Sequence, residues 1–342
     1  MNKQEFRIVY MGTPDFAVES LRALVEGGYN IVGVVTMPDK PMGRHGSMLQ
    51  PSPVKQYAVE HGLRVLQPEK LKDPAFVEEL RSLRADLQIV VAFRMLPEVV
   101  WNMPPMGTFN LHASLLPQYR GAAPINWAII NGDRETGITT FFLKHEIDTG
   151  DIIQQVRVPI NDTDNVGDVH DRLMMLGGRL VTETVDNIIA GTIHLIPQEE
   201  FGNSVIQDLG NSGSQNLRTS EPQNLRPAPK IFRETCEINW NQPSKRVYDF
   251  IRGLSPYPAA WTTFDGLQLK VFEASMTSLV SVASLAAAPG TIASDGRTFI
   301  KVSTQDGWLE IHSLQLAGKK RMNVTDFLRG YTKPLDQIVL KC

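Results

Sequence analysis

The chain has little cysteine: Cys236 and Cys342 are the only two in 342 residues. They stand too far apart for a disulfide framework or a CxxC metal pair, and read as two reduced thiols. No apolar run approaches the ~20 residues that span a bilayer. The N-terminal Met-Asn-Lys-Gln-Glu-Phe-Arg leads straight into a strand pattern without the apolar core of a signal peptide. These features predict a cytoplasmic protein with no membrane partner. The seven histidines show no HExxH or HxxxH spacing, so no metal site is expected. The first strand–turn–helix carries one glycine, Gly12, where a dinucleotide fingerprint needs GxGxxG. A net charge of −3 gives no overall grip on nucleic acid, but the charge is unevenly spread. From Arg226 onward there are 15 Lys and Arg against 10 Asp and Glu, while the rest holds 19 against 27. A mildly basic C-terminal part on an acidic remainder steers a polyanion to one side.

What is present is ordinary globular composition, 42% hydrophobic and 21% charged, on a chain long enough for two cores. Phe6–Tyr10, Ile31–Thr36 and the nearly continuous apolar Leu87–Phe93 read as strands. Helical patterns at Phe16–Glu26 (with Asp15 as N-cap), Val54–His61 and Asp73–Leu83 alternate with them. This order predicts right-handed βαβ units and a parallel sheet. Further strands are expected at 137–143 and 152–158, and a long amphipathic helix over Asn165–Ala190. Residues 202–229 turn rich in Asn, Ser, Gln, Gly and Pro and repeat Gln-Asn-Leu-Arg, as a flexible linker does. Beyond it, Pro243–Arg252 suggests a helix capped by Gly253. Short strands at 260–264, 267–274, 298–303 and 308–316 suggest a small barrel, and a last helix is expected at Asn323–Leu328. The division is therefore 1–201, a linker at 202–229, and 230–342.

The chemistry-bearing stretch is Phe109–Ala122. Asn110 and His112 stand two apart on a strand-like run and so face one side, where both can donate to one oxygen as an acyl-transfer oxyanion requires. Ser114–Pro117 leaves the strand as a loop, and Pro124 suits the first turn of a helix over Ala122–Ile130 that Asn131-Gly132 stops. Asp148 follows the strand at 137–143. If that strand lies parallel to its neighbour, its C-terminal loop brings Asp148 to His112, where a carboxylate orients the ring and favours its charged form. Taken singly, each of these three also suits a turn or cap. The Pro- and Gly-rich run Met37–Pro53 is too irregular for regular structure, and loops of this length are often functional.

The pattern Asn110-x-His112-x-Ser114-Leu115-Leu116-Pro117-x-Tyr119-Arg120-Gly121, with Asp148-Thr149-Gly150 downstream, resembles the signature of the folate-dependent formyltransferases. Ala228–Ile231, Ile238–Trp240, Ser255–Trp261 and Leu316–Met322 resemble the C-terminal domain of the tRNA-acting family within that superfamily, the methionyl-tRNA formyltransferases. The two resemblances cover nearly all of the chain outside 202–229. They imply an α/β architecture: a Rossmann-like N-terminal domain with a mostly parallel sheet, plus a small C-terminal OB-like barrel that binds tRNA. They further imply formyl transfer from 10-formyltetrahydrofolate to the amino group of methionyl initiator tRNA by a monomer, without a metal. Asn110, His112 and Asp148 would be catalytic, and the backbone of Ser114, Leu115, Leu116 and Pro117 would border the folate. Lys40 and Arg44 would reach the acceptor end, and Lys319, Lys320 and Arg321 would meet phosphates. Two departures from the family pattern stand out: His45-Gly46-Ser47, where relatives often carry more lysines, and Phe93-Arg94, where many have Tyr-Gly. Two other readings remain open at this stage: a formyltransferase for a nucleotide or sugar amine, and a tRNA-binding protein without activity.

Overall fold

A computed structural model describes residues 2–42, 48–200, 225–277, 287–335, 338 and 340. Arg44, the His45-Gly46-Ser47 departure and nearly all of the expected linker lie outside the described residues. The chain divides into two compact units. One holds Met1–Gly121, Thr136–Val158 and His170–Pro227; the other holds Ala122–Glu135, Pro159–Val169 and Ala228–Cys342. The units thus interleave in sequence, where the sequence reading ran one domain to residue 201. No helix among the described residues is long and apolar enough to cross a membrane.

The first unit is built on a seven-stranded sheet. Its early elements are β1 (Arg7–Gly12), α1 (Asp15–Glu26), β2 (Asn30–Val35), β3 (Lys40–Met42), β4 (Met48–Gln50), α2 (Pro53–Glu60), β5 (Val65–Leu66) and α3 (Pro74–Ser82). In chain order there follow β6 (Leu87–Val91), α4 (Glu98–Trp101), β7 (Thr108–His112), α5 (Pro124–Ile130), β8 (Glu135–Phe142), β9 (Ile152–Pro159) and α6 (Val166–Ala190), with α5 and the first turn of α6 belonging to the other unit. The strand order is β5-β2-β1-β6-β7-β8-β9, and the pairs from β5 to β7 are parallel. Every residue of β6 is buried, as a strand covered on both faces requires.

Four expectations are corrected. β8 runs antiparallel to β7, with His112 opposite Thr139 and Phe109 opposite Phe142. A parallel return needs a crossover back over the sheet, whereas Ala122–Arg134, between the two strands, belongs to the other unit. Asp15 is not the N-cap of α1: Pro14 holds that position, and Asp15 lies in the first turn, where its charge favours the helix dipole. The run after Met37 is not wholly irregular, since β3 and β4 pair as a hairpin. Its base is fastened by the Lys55–Asp39 ion pair at 2.6 Å and by Gln67 Nε2, which donates to Met37 O and Asp39 Oδ1. The fourth correction is Gly253, which lies inside its helix, as described next.

The second unit contains α5, α7 (Ser244–Leu254), β10 (Ala260–Phe264), β11 (Leu267–Met276), β12 (Ile292–Ser294), β13 (Ile300–Ser303), β14 (Trp308–Leu316), β15 (Met322–Asn323) and α8 (Val324–Gly330). Its sheet follows the order β10-β11-β14-β13-β12, antiparallel throughout, with β15 added on β14. Phe264, Val271, Ile292, Val302 and Leu314, one from each of the five main strands, line a single interior with Trp240, the arrangement of a small barrel. Gly253 does not cap α7. A Cβ there would stand 2.6 Å from Ile130 Cγ1 and 3.0 Å from Ile130 N, so the glycine permits the close crossing of α5 and α7.

Candidate active site

Alternation along β7 buries Phe109 and Leu111 on one face and turns Asn110 and His112 to the other. Antiparallel pairing sets Phe141 and Thr139 of β8 directly opposite those two and on the same face. The His112 and Phe141 rings are near-perpendicular with centroids 6.4 Å apart, and His112 is 6% exposed.

Two loops fix the imidazole. Its Nε2 lies 2.9 Å from Tyr119 O. A carbonyl only accepts, so Nε2 carries the proton. That leaves Nδ1 facing Asp148, whose Oδ2 is 3.9 Å away, too far for a direct hydrogen bond. The same Oδ2 accepts from Gly121 N–H at 2.9 Å. Asp148 does not arrive by the route expected from a parallel strand. β8 ends beside the start of β7, with Leu143 N–H donating to Thr108 O, and the following loop folds back toward His112. Asp148 and Tyr119 both sit in the left-handed backbone region, at φ of 54° and 61°. Such a conformation costs a non-glycine residue on the order of 1–3 kcal/mol and persists where neighbours over-determine it.

The loop Ser114–Pro117 is braced from below. Thr139 Oγ1 donates to Ser114 O at 2.7 Å and accepts from Leu116 N–H and from Gln155 Nε2. Gln155 Nε2 also donates to Leu116 O. Ser114 itself is fully buried, its hydroxyl donating to Gln118 O. Replacing Thr139 by the isosteric valine strands two backbone groups, Ser114 O and Leu116 N–H, and removes one of the two hydrogen bonds of Gln155 Nε2. The expected cost is about 1–3 kcal/mol per stranded group, read as a drop in chemical-denaturation midpoint; an unchanged midpoint would contradict the brace.

Three of the seven buried side-chain polar atoms without partners among the described residues follow or end neighbouring strands, where a ligand is expected in an open α/β sheet. Asn110 Oδ1 near the end of β7, Arg94 Nε after β6 and Thr13 Oγ1 after β1 are buried and unpartnered. The three strands are neighbours. The Asn110 amide can present either its oxygen or its NH2 at nearly the same place. Arg94 otherwise donates to Pro68 O and Glu69 O, and burial lowers its pKa.

Of the residues singled out in sequence, the structure brings together Asn110, His112, Asp148 and the 114–117 loop. Lys40 is exposed on β3, and Arg44 lies outside the described residues. Lys319, Lys320 and Arg321 stand in the second unit, between β14 and β15, all three exposed. Arg321 is engaged there: it pairs with Glu273, donates to Ser313 Oγ and lies 4.5 Å over the Phe272 ring. Lys319 and Lys320 make no ion pair among the described residues. Sequence reasoning missed Thr139, Gln155 and Gln198. Each is a single polar residue in an unremarkable context, and only the fold brings it to the site.

Residues 6–185 match the formyl transferase family model, and residues 230–332 match that of the formyl transferase C-terminal domain. The methionyl-tRNA formyltransferase of Parabacteroides distasonis is 66% identical over 97% of each chain, and that of Phocaeicola vulgatus 67% identical over the same share. Among solved structures, an N-formyltransferase from Helicobacter canadensis, crystallised with folinic acid and dTDP-3-aminofucose, superposes with a TM-score of 0.62 at 19% identity. The match covers 94% of this chain and all of that one, which shows a shared fold. With the signature residues gathered around the end of β7 and the likeness running nearly end to end, the chain belongs to the methionyl-tRNA formyltransferase family.

Proposed function

We propose that the protein transfers the formyl group of 10-formyltetrahydrofolate to the amino group of methionine on initiator tRNA. The observation that carries this reading is the convergence of Asn110 and His112 from one strand with Asp148 from one loop, with one polar atom of the Asn110 amide buried and unpartnered. 10-Formyltetrahydrofolate supplies the formyl group on its N10. As the amine nitrogen bonds to the formyl carbon, negative charge grows on the formyl oxygen. The Asn110 amide and His112, protonated at Nδ1, donate to that oxygen. Asp148, its Oδ2 held by Gly121 N–H, takes up the amine proton, and that proton passes to N10 as the C–N10 bond breaks, releasing tetrahydrofolate. The unpartnered atoms at the β1, β6 and β7 ends suit a polar heterocycle such as the pterin, and the braced loop Ser114–Pro117 forms one border.

On the same reading the second unit holds tRNA, Lys40 and Arg44 address the acceptor end, and the enzyme acts as a cytoplasmic monomer. The division at 1–201, 202–229 and 230–342 is carried with it. The test is formyl transfer to methionyl initiator tRNA against free methionine and small amines. A strong preference for the charged tRNA is expected, and equal rates with a sugar amine would overturn the assignment. A second expectation concerns salt. Changing Lys319 and Lys320 to Ala should raise the Michaelis constant for charged tRNA and flatten its salt dependence by about one to two phosphate contacts. Unchanged tRNA binding at every salt concentration would remove the cluster from the interface.

A further inference from the structure

Gln198 lies eight residues past the end of α6, at a Pro-Gln step outside every motif noted above. Its side chain is 1% exposed, and both ends of the amide are in use. Nε2 donates to Asp148 O and to Gly150 O, each at 2.8 Å. Oε1 accepts from Arg120 Nε at 3.0 Å and from its second guanidinium nitrogen at 2.7 Å. An amide has two donor hydrogens and two acceptor lone pairs, so Gln198 is saturated. The segment that delivers it is itself fixed, because Ile196 and Ile152 exchange both backbone hydrogen bonds.

The two segments that Gln198 joins are the two that hold His112. Asp148 presents its carboxylate to Nδ1, and Tyr119, directly before Arg120, presents its carbonyl to Nε2. Both residues are in the left-handed region, and both are next to or at a Gln198 contact. Gly121, directly after Arg120, closes the ring by donating to Asp148 Oδ2. We propose that Gln198 is a positioning residue for formyl transfer: it clamps the Tyr119–Gly121 and Asp148–Gly150 segments at the separation that places the Asp148 carboxylate against His112. The inference rests on the catalytic reading of Asp148 given above. Gln198 touches neither His112 nor the reacting atoms, and acts through the two segments it ties.

Gln198→Glu separates the two halves of the clamp. The carboxylate still accepts from Arg120, but it has no N–H for the two carbonyls and sets negative oxygen against them. Steady-state kinetics are measured on the full-length protein with both substrates varied, alone and combined with Asp148→Asn. Gln198→Glu is expected to lower kcat by ~10–100-fold, the scale of a small misplacement of a reacting group, with both KM values within ~3-fold of wild type. In the Asp148→Asn background the same change is expected to cost less than ~3-fold, because the group it positions has already been disabled. A general loss of structure would instead cost the same factor in both backgrounds, and that result overturns the proposal. So does an unchanged kcat. Should Gln198→Glu not accumulate as folded protein, Arg120→Lys breaks the same clamp at its other end and is expected to show the same non-additivity; additive losses would refute the proposal there too. Full activity of Asp148→Asn alone overturns the catalytic reading and the clamp with it. Loss in Asp148→Asn with none in Gln198→Glu overturns the clamp alone.

Discussion

His112→Ala is expected to lower formyl transfer to charged tRNA by ~10²–10³-fold, the scale of removing one preorganised donor from a developing oxyanion. The ring is buried but not central to the core. It packs edge-to-face with Phe141, and among the described residues its only direct hydrogen bond is to Tyr119 O. The variant should therefore fold, with a thermal midpoint close to wild type, and the loss should appear in kcat. Asn110→Ala is expected to fall on the same scale, and it removes a buried oxygen that has no partner in the absence of ligand. For that reason Asn110→Ala should cost little stability, or even gain some, while activity collapses. Such a trade-off would mark a side chain kept for chemistry. Turnover within a few-fold of wild type in both variants would remove the pair from the mechanism.

The second large effect is expected at a residue with no side chain. Gly150→Ala would set a Cβ 1.6 Å from Phe142 O and 2.8 Å from its carbonyl carbon. Both are backbone atoms of β8, and neither can yield without breaking the sheet, so the loop must move instead. Gly150 O accepts from Gln198, and Asp148 lies two residues upstream. A shift of about 1 Å there takes the carboxylate away from His112, and misplacement of that size costs ~10²-fold in rate. Gly150→Ala should thus lose activity on the scale of Asp148→Asn although it removes no functional group. Circular dichroism and a denaturation midpoint would separate this local effect from unfolding. A folded Gly150→Ala protein with near-normal kcat would show that the loop's position does not govern the chemistry.

The period-two alternation of Phe109-Asn110-Leu111-His112 was enough to put the two polar side chains on one face, because pleating leaves a strand no other choice. The unbroken apolar run at Leu87–Val91 likewise announced a strand buried on both faces. Local chemistry of this kind depends on neighbours in sequence and is legible there. The direction of β8 was not. A strand pattern has the same period whether it runs up or down, and the outcome was decided by where the connection between β7 and β8 found its packing partners. Asp148 reaches His112 by a folded-back loop rather than by a parallel neighbour. Gly253 shows the same limit: a glycine near a helix end reads as a cap, and only the approach of Ile130 reveals it as a crossing point.

By itself, then, the sequence determined the alternating α/β plan, the face of β7 and the residue types of the candidate site. Each follows from backbone periodicity or from a motif contiguous in the chain. Only the tertiary structure decided that Nδ1 of His112 is the nitrogen facing Asp148, because the proton on Nε2 is assigned by the Tyr119 carbonyl. It alone also decided that Thr139, Gln155 and Gln198 support the loops. Their hydrogen-bond partners lie from 16 to 78 residues away in sequence, and a lone polar residue carries no pattern until the fold brings its partners within 3 Å.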